Sequence, residues 1–343
     1  MGTNIFGLTE YNIQIKSITN VILFHFRIII MTSSNFIKLL SGLTFFFFGM
    51  QMMKEELEHL AGNKMQILLE KFTSTKCLGI ITATLVTAFV QSSSLITVMT
   101  VSLVGSKIMT LKQATWIIMG ANIGTTFTSQ MLAFDLGYIA PVIAFLGMIL
   151  ITFFKKKKFH VFGNLLSGIG VLYIGMETMS QAMLPLKNNP FFVEMLTNFT
   201  NPFIGVVIGT IFTAIIQSSS ASVGILQALA GSGLINLSSS VYILFGQNIG
   251  TCITSVLASI GANRSAKEAM LVHLLFNVIS MVVFIPLFLW TPLESLFIAF
   301  TPEHIETQIA NIHTFLNIGT TIILFPFDKW LSQFAKKVAE YIK

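Results

Sequence analysis

Gln91-Ser92-Ser93-Ser94 recurs as Gln217-Ser218-Ser219-Ser220, and the offset of 126 residues between them holds without a gap on either side. Leu40-Ser41-Gly42 falls on Leu166-Ser167-Gly168, Gly49-Met50 on Gly175-Met176, and Thr87-Ala88 on Thr213-Ala214. Further on, Gly105-Ser106 meets Gly231-Ser232, and Gly120-x-Asn122-Ile123-Gly124-Thr125 meets Gly246-x-Asn248-Ile249-Gly250-Thr251. Thr128-Ser129 then falls on Thr254-Ser255. Apolar sequence matches itself by chance at Leu and Ile, but not at polar tetrapeptides and glycine motifs in one register. The chain is an internal duplication.

The surroundings of these motifs decide the solvent. Of 343 residues, 54% are hydrophobic and 10% charged, and the mean hydropathy is +0.80, a balance that belongs in lipid. Uncharged stretches at 113–134, 136–154, 269–293 and 307–327 reach the roughly 20 helical residues that cross a bilayer core, and 195–263 carries no Asp, Glu, Lys or Arg at all. An all-α polytopic membrane protein follows. The net charge of +6 sits at the ends of apolar runs, so it reads as topology and not as a nucleic-acid surface. Cys77 and Cys252 are far apart in or beside apolar segments and read as small apolar residues.

The segment 77–106 is uncharged with the tetrapeptide near its middle. Its two halves would be helices of only about 21 and 18 Å, too short to span. A re-entrant hairpin with its tip near the midplane fits those lengths; a single long tilted helix is the competing geometry. With hairpins, Lys54, Lys64, Lys71, Lys76, Lys107 and Lys112 share one side, Asp135 turns on the other, and the basic run 155–158 returns. The second copy then enters from the opposite face, Arg264, Lys267, Lys329, Lys336, Lys337 and Lys343 fall on the basic side, and only Lys187 disagrees. The positive-inside pattern therefore predicts two inverted-topology repeats. The division is 1–35, an N-terminal extension read as interfacial or as upstream of a start at Met31; 36–158, the first repeat; 159–291, the second; and 292–343, an additional C-terminal transmembrane helix with a cytoplasmic tail.

Four consecutive polar side chains in hydrocarbon need a purpose, because each unsatisfied group costs several kcal/mol. If half-helices begin at 95 and 221 in the membrane middle, their N-termini converge, each offering about half a positive charge and free N–H groups. Gln91, Ser92, Ser93, Ser94, Gln217, Ser218, Ser219 and Ser220 would then hold an anion without a basic residue. Two half-charges leave an oxyanion under-compensated, so co-bound cations complete the balance. Neutral oxygens suit sodium: the carbonyls of Val90 and Ile216, and the side chains of Asn122, Thr125, Thr126, Asn248 and Thr251. The Gly-x-Asn-Ile-Gly-Thr segments are expected to break their helices, with close helix packing as the alternative. His273 with Asn277, and His313 with Asn317, each four residues apart, are expected to support the site.

These residues resemble the type II sodium/phosphate cotransporters and their bacterial relatives. The resemblance covers nearly all of 36–324 and rests on both QSSS motifs, both Gly-x-Asn-Ile-Gly-Thr motifs and His273-Leu-Leu-Phe-Asn277. It implies sodium-driven phosphate import through a multi-pass protein of the cell membrane with a cytoplasmic C-terminus. Phosphate would sit between the QSSS tips, with sodium as coupling ion and no cofactor or other metal. Lipid, phosphate and sodium are the expected partners, a homodimer is allowed, and nucleic acid is not expected. Animal members carry His-Asp-x-Phe-Asn in the first repeat, tied in the family to an extra sodium; 136–151 has no histidine and no acidic residue, which leaves stoichiometry open. Many bacterial members append a soluble helical domain, and none is expected here. A proton-coupled or other-anion transporter is the alternative, and an intramembrane serine hydrolase a distant one; no enzyme activity is expected.

Overall fold

The computed structural model describes residues 5–62, 64–185 and 201–341, and of 5–32 only the course of the backbone. Lys187 and Lys343, used above to assign sides, lie outside the described residues. Fifteen helices make up the described chain. They are α1 Ile5–Ala61, α2 Lys64–Lys71, α3 Lys76–Val90, α4 Ser93–Gly105, α5 Leu111–Leu132, α6 Ile139–Phe153, α7 Lys157–Met183 and α8 Pro202–Ile216. Then follow α9 Ser219–Gly231, α10 Leu237–Gly250, α11 Ile253–Ser259, α12 Arg264–Trp290, α13 Leu293–Phe300, α14 Ile305–Leu324 and α15 Asp328–Ala339.

Helix starts follow the duplication. Thr75, Ser92 and Thr110 cap α3, α4 and α5, while their mates Asn201, Ser218 and Asn236 cap α8, α9 and α10. Each capping oxygen takes up an otherwise unpaired first-turn N–H, a contribution of about 1 kcal/mol per cap. Helices α1 and α7 are also mates, and they pack with reciprocal contacts: a Cβ on Gly42 would meet the Gly175 carbonyl at 2.9 Å, and one on Gly49 the Gly168 carbonyl at 2.5 Å. Residue numbers rise on one helix as they fall on the other, so the mates run antiparallel. Exchange of partners between equivalent residues is the mark of a two-fold relation.

Within each repeat the hairpin lies along the next helix. Thr84 Oγ1 donates to the Gly120 carbonyl at 3.1 Å, and its mate Thr210 to the Gly246 carbonyl at 3.1 Å. Helices α3 and α5 run parallel, with Thr73 and Gly79 beside Gln113 and Trp116 near their starts. For two parallel helices separated by α4, the chain must turn back in between.

Among the described residues four stretches are long and apolar enough to cross a membrane, Ser33–Ala61, Lys157–Met183, Leu237–Ser259 (α10 with α11) and Arg264–Trp290, or five if α14 and α15, bent by 90°, form one span. The chain is a multi-pass membrane protein. Within 292–343, α14 is followed by α15, a packed amphipathic helix: Asp328 pairs with Lys76 at 2.7 Å and Ser332 with Thr115 at 2.9 Å. Two expectations need correction. The crossing expected at 136–154 is the 15-residue α6, about 22 Å long, because Gly137 and the basic run at 155 stop it on either side. The half-helices start two residues earlier than expected, at Ser93 and Ser219, because Ser92 and Ser218 cap them.

Candidate functional site

Both tetrapeptides sit where one helix ends and another begins. Gln91 and Gln217 close α3 and α8 in the left-handed conformation, φ 59° and 57°, each N–H returning to the threonine four residues back. A left-handed non-glycine residue costs on the order of 1–3 kcal/mol and persists where the fold demands it. Repeating it at mate positions marks both breaks as built features.

The two breaks meet. Ser93 Oγ and Ser219 Oγ lie 3.3 Å apart, and both side chains are buried. Residues that are repeat mates and touch each other must straddle the axis that relates the repeats. The starts of α4 and α9 therefore converge on that axis, bringing two helix N-termini and their serine hydroxyls to one place.

A second polar thread crosses between repeats. Ser220 Oγ donates to Thr128 Oγ1 at 3.3 Å, and Thr128 Oγ1 donates to Gln91 Oε1 at 2.6 Å, while Gln91 Nε2 donates to the Ala88 carbonyl. The mate residues do not repeat this: Thr254 Oγ1 donates to the Thr251 carbonyl at 3.1 Å, and Gln217 is exposed. Gln91 is only 8% exposed.

The glycine motifs do other work than expected. Helix α5 runs unbroken through Gly120–Thr125, and a Cβ on Gly120 would meet the Ile80 carbonyl at 2.2 Å. Gly246 faces the Val206 carbonyl at 2.1 Å in the same way. Both glycines admit the neighbouring backbone, as small residues do between membrane helices. In the second repeat only the turn residues Thr251 and Cys252, both with right-handed helical dihedrals, separate α10 from α11, and the two run on as one span.

Of the residues expected to ligate a cation, Asn122 donates Nδ2 to the Ile118 carbonyl at 2.8 Å. Thr125, Thr126 and Thr251 give their hydroxyl hydrogens to Ala121, Ile123 and Gln247 carbonyls. Committing the hydrogens backwards leaves oxygen lone pairs facing outward. Asn248 Oδ1 is already in contact with His313 Nε2 at 3.2 Å. Val90 and Ile216 stand at the last helical positions before the breaks. His273 Nδ1 meets Ser255 Oγ at 2.9 Å, and His313 Nδ1 meets Ser129 Oγ at 2.6 Å. No histidine contact of this kind reaches a QSSS serine among the described residues.

Sequence reading missed several members. Thr87 Oγ1 and Thr213 Oγ1, one turn before the two breaks, are buried mates without a hydrogen-bond partner among the described residues. Gln227 Oε1 and Gln247 Oε1 are in the same condition, as is Oδ1 of the expected Asn277. Buried unpaired oxygens are costly and uncommon. The threonines were visible as an identical Thr-Ala ahead of each QSSS; the glutamines carried no repeat signal. Beyond the ends of α5 and α9 lies a cavity of about 350 Å³ lined by Asp135, Glu177, Glu303 and Glu306, acidic enough to gather cations but separate from the tetrapeptides.

Comparison with known proteins places this duplicated architecture. A family profile described as Na+/Pi-cotransporter matches residues 45–181 and 186–300. The chain belongs to the Na+/Pi-cotransporter family. An uncharacterized protein of Bacillus subtilis, YqeW, is 27% identical over 82% of this chain and 91% of its own length. YjbB of Salmonella typhimurium, named as a candidate inorganic phosphate export protein, is 26% identical over 88% of this chain and 55% of its own length. The rat sodium-dependent phosphate transport protein 2A is 36% identical over 26% of this chain and 15% of its own length. This Na+/Pi-cotransporter family member thus spans nearly all of YqeW but about half of YjbB. No solved structure matches.

Proposed function

We propose that the chain carries inorganic phosphate across the cell membrane in symport with sodium, holding the anion between the two QSSS tips. The observation that carries this reading is the contact of Ser93 with Ser219 at 3.3 Å. It joins the two N-termini into one electropositive pole without a lysine or arginine, the arrangement by which broken membrane helices take anionic substrates. Gln91, Ser92, Ser94, Gln217, Ser218 and Ser220 supply the remaining donors.

Sodium balances the anion through neutral oxygens: the Val90 and Ile216 carbonyls, Asn122, Thr125, Thr126, Asn248 and Thr251, with the unpaired hydroxyls of Thr87 and Thr213 close by. The antiparallel course of the mates α1 and α7 supports inverted repeats, and the parallel course of α3 and α5 supports re-entrant hairpins. In that topology the C-terminus is cytoplasmic and each tip is reached from a different face.

Inward transport follows from an inward sodium gradient. Outward movement is the second reading, favoured by the name of YjbB; the same carrier would run outward wherever the sodium and phosphate gradients reverse. A QSSS serine acting as a hydrolytic nucleophile finds no support, since the two buried histidines bond Ser129 and Ser255 instead and a nucleophile needs its base within hydrogen-bond reach.

Radiolabelled phosphate uptake into proteoliposomes, with sodium, potassium and proton gradients imposed separately, tests the proposal. Uptake should follow the sodium gradient alone. Equal uptake on a proton gradient in sodium-free buffer would favour the proton-coupled alternative instead.

A further inference from the structure

Helix α14 repeats α12 in a register of 40 residues, not 126. His313, Asn317 and Thr320 fall on His273, Asn277 and Ser280, and the buried apolar positions keep step: Ile309, Ile312, Leu316 and Leu324 fall on Ala269, Val272, Phe276 and Phe284. Each asparagine donates Nδ2 to the carbonyl of the histidine one turn back, at 3.1 Å in α12 and 2.9 Å in α14. Thr320 Oγ1 donates to Ser280 Oγ at 2.8 Å, so mates in this register also touch.

The two registers close on each other. His273 bonds Ser255 and His313 bonds Ser129, and those serines are mates at 126. Helix α14 therefore stands to α5 of the first repeat as α12 stands to α10 and α11 of the second. The element that sequence order assigns to that position, α6, is elsewhere. It lies along α7, where a Cβ on Gly170 would meet the Ala140 carbonyl at 2.6 Å, and only Ala140, Ala144 and Gly147 of it are buried.

We infer that α14 has taken the place of the first repeat's third helix, and that His313 is a positioning residue joining the two repeats' ion-ligating segments. The inference rests on the sodium-coupled reading above. Its Nδ1 is held by Ser129 of the first repeat and its Nε2 by Asn248 Oδ1 of the second, at 3.2 Å. A carboxamide oxygen only accepts, so Nε2 carries the hydrogen and Ser129 donates to Nδ1. The carboxamide is thereby turned to a fixed orientation, with its second lone pair left for the cation. No second bond of this kind links His273 to the first repeat among the described residues, so the tie runs one way.

The test is the sodium dependence of phosphate uptake in proteoliposomes by wild type, His313→Ala, His313→Gln, Ser129→Ala, Ser255→Ala and the doubles of His313→Ala with each serine change. The expected result is a rise of roughly five-fold in half-activating sodium for His313→Ala, with phosphate affinity at saturating sodium and the yield of folded protein kept. His313→Gln, which retains a donor, should recover most of it. Ser129→Ala should add nothing to His313→Ala, while Ser255→Ala should add its full effect. Wild-type sodium activation in His313→Ala overturns the inference, as does a loss of folded protein that His313→Gln does not rescue. Wild-type liposomes without sodium-driven uptake would remove the transport reading and this inference together.

Discussion

Gln91 and its repeat mate Gln217 share a left-handed backbone, φ 59° and 57°, but not their surroundings. Gln91 is buried and receives the Thr128 hydroxyl at 2.6 Å; Gln217 is exposed, and Thr254 bonds its own helix instead. One tip is latched and the other is not.

Removing the latch should therefore act on one half only. Thr128→Val leaves the buried Gln91 oxygen without its donor, a cost of about 1–3 kcal/mol. Phosphate uptake should fall about tenfold, while Thr254→Val stays within about twofold of wild type. Initial uptake rates at matched reconstitution levels give the comparison.

The meeting of the tips can be fixed covalently. With Cys77 and Cys252 replaced by serine, Ser93→Cys paired with Ser219→Cys should form a disulfide under mild oxidation, since the hydroxyls they replace are 3.3 Å apart. Transport should stop on oxidation and return with reductant. A pair that remains reduced, by mass spectrometry of the intact protein, would separate the tips and leave the anion site without its pole.

Topology is best read one residue beyond the hairpin ends. Ser232 is only 2% exposed, so a label there would report burial and not side. Lys107 and its mate Gly233 are both exposed, and both already hold positive φ, 60° and 75°. On the same background, Lys107→Cys should react with an impermeant maleimide only from the cytoplasmic face and Gly233→Cys only from outside. Reaction of both from one face would make the repeats parallel.

Stability should carry an acid-dependent part from Asp328, at the start of α15 and outside the spanning helices. Burial alone would raise its pKa, but the bonds from Lys76 and Trp116 outweigh it and hold the carboxyl below its usual value. A carboxyl held low contributes stability above the unfolded value of about 3.9 and loses it as pH falls through the folded value. Asp328→Asn should cost about 1–3 kcal/mol at pH 7, and the melting temperature of the variant should fall less than that of wild type between pH 5 and pH 3. Parallel melting curves in detergent would show the ion pair to be without weight.

The duplication was legible because polar tetrapeptides and Gly-x-Asn motifs cannot arise by chance in apolar sequence, and the contact of Ser93 with Ser219 was implicit in their common register. Less could be read where one residue type serves two ends. Glycine permits both a helix break and a close helix crossing, and only the Ile80 carbonyl beside Gly120 shows which applies. The role of α14 was hidden for another reason: His313 and Asn317 were visible, but their register of 40 overlaps the stronger one of 126 and leads to a different partner. Neither hydropathy nor spacing shows that α6 lies along α7 and leaves its place to a later helix.

Two like halves related by a two-fold axis could exchange conformations to give two arrangements related by that rotation, and side chains present identically in both halves would contribute equally to each. They cannot set the resting preference. That bias must be written in sequence that occurs once, and α15 is the clearest instance: Lys76 at the start of the first hairpin is anchored to Asp328, whereas its mate in the second is Pro202, which has no charge to anchor. In a carrier of the kind proposed above, this unrepeated helix would act as ballast, deciding which way the machine leans when nothing is bound.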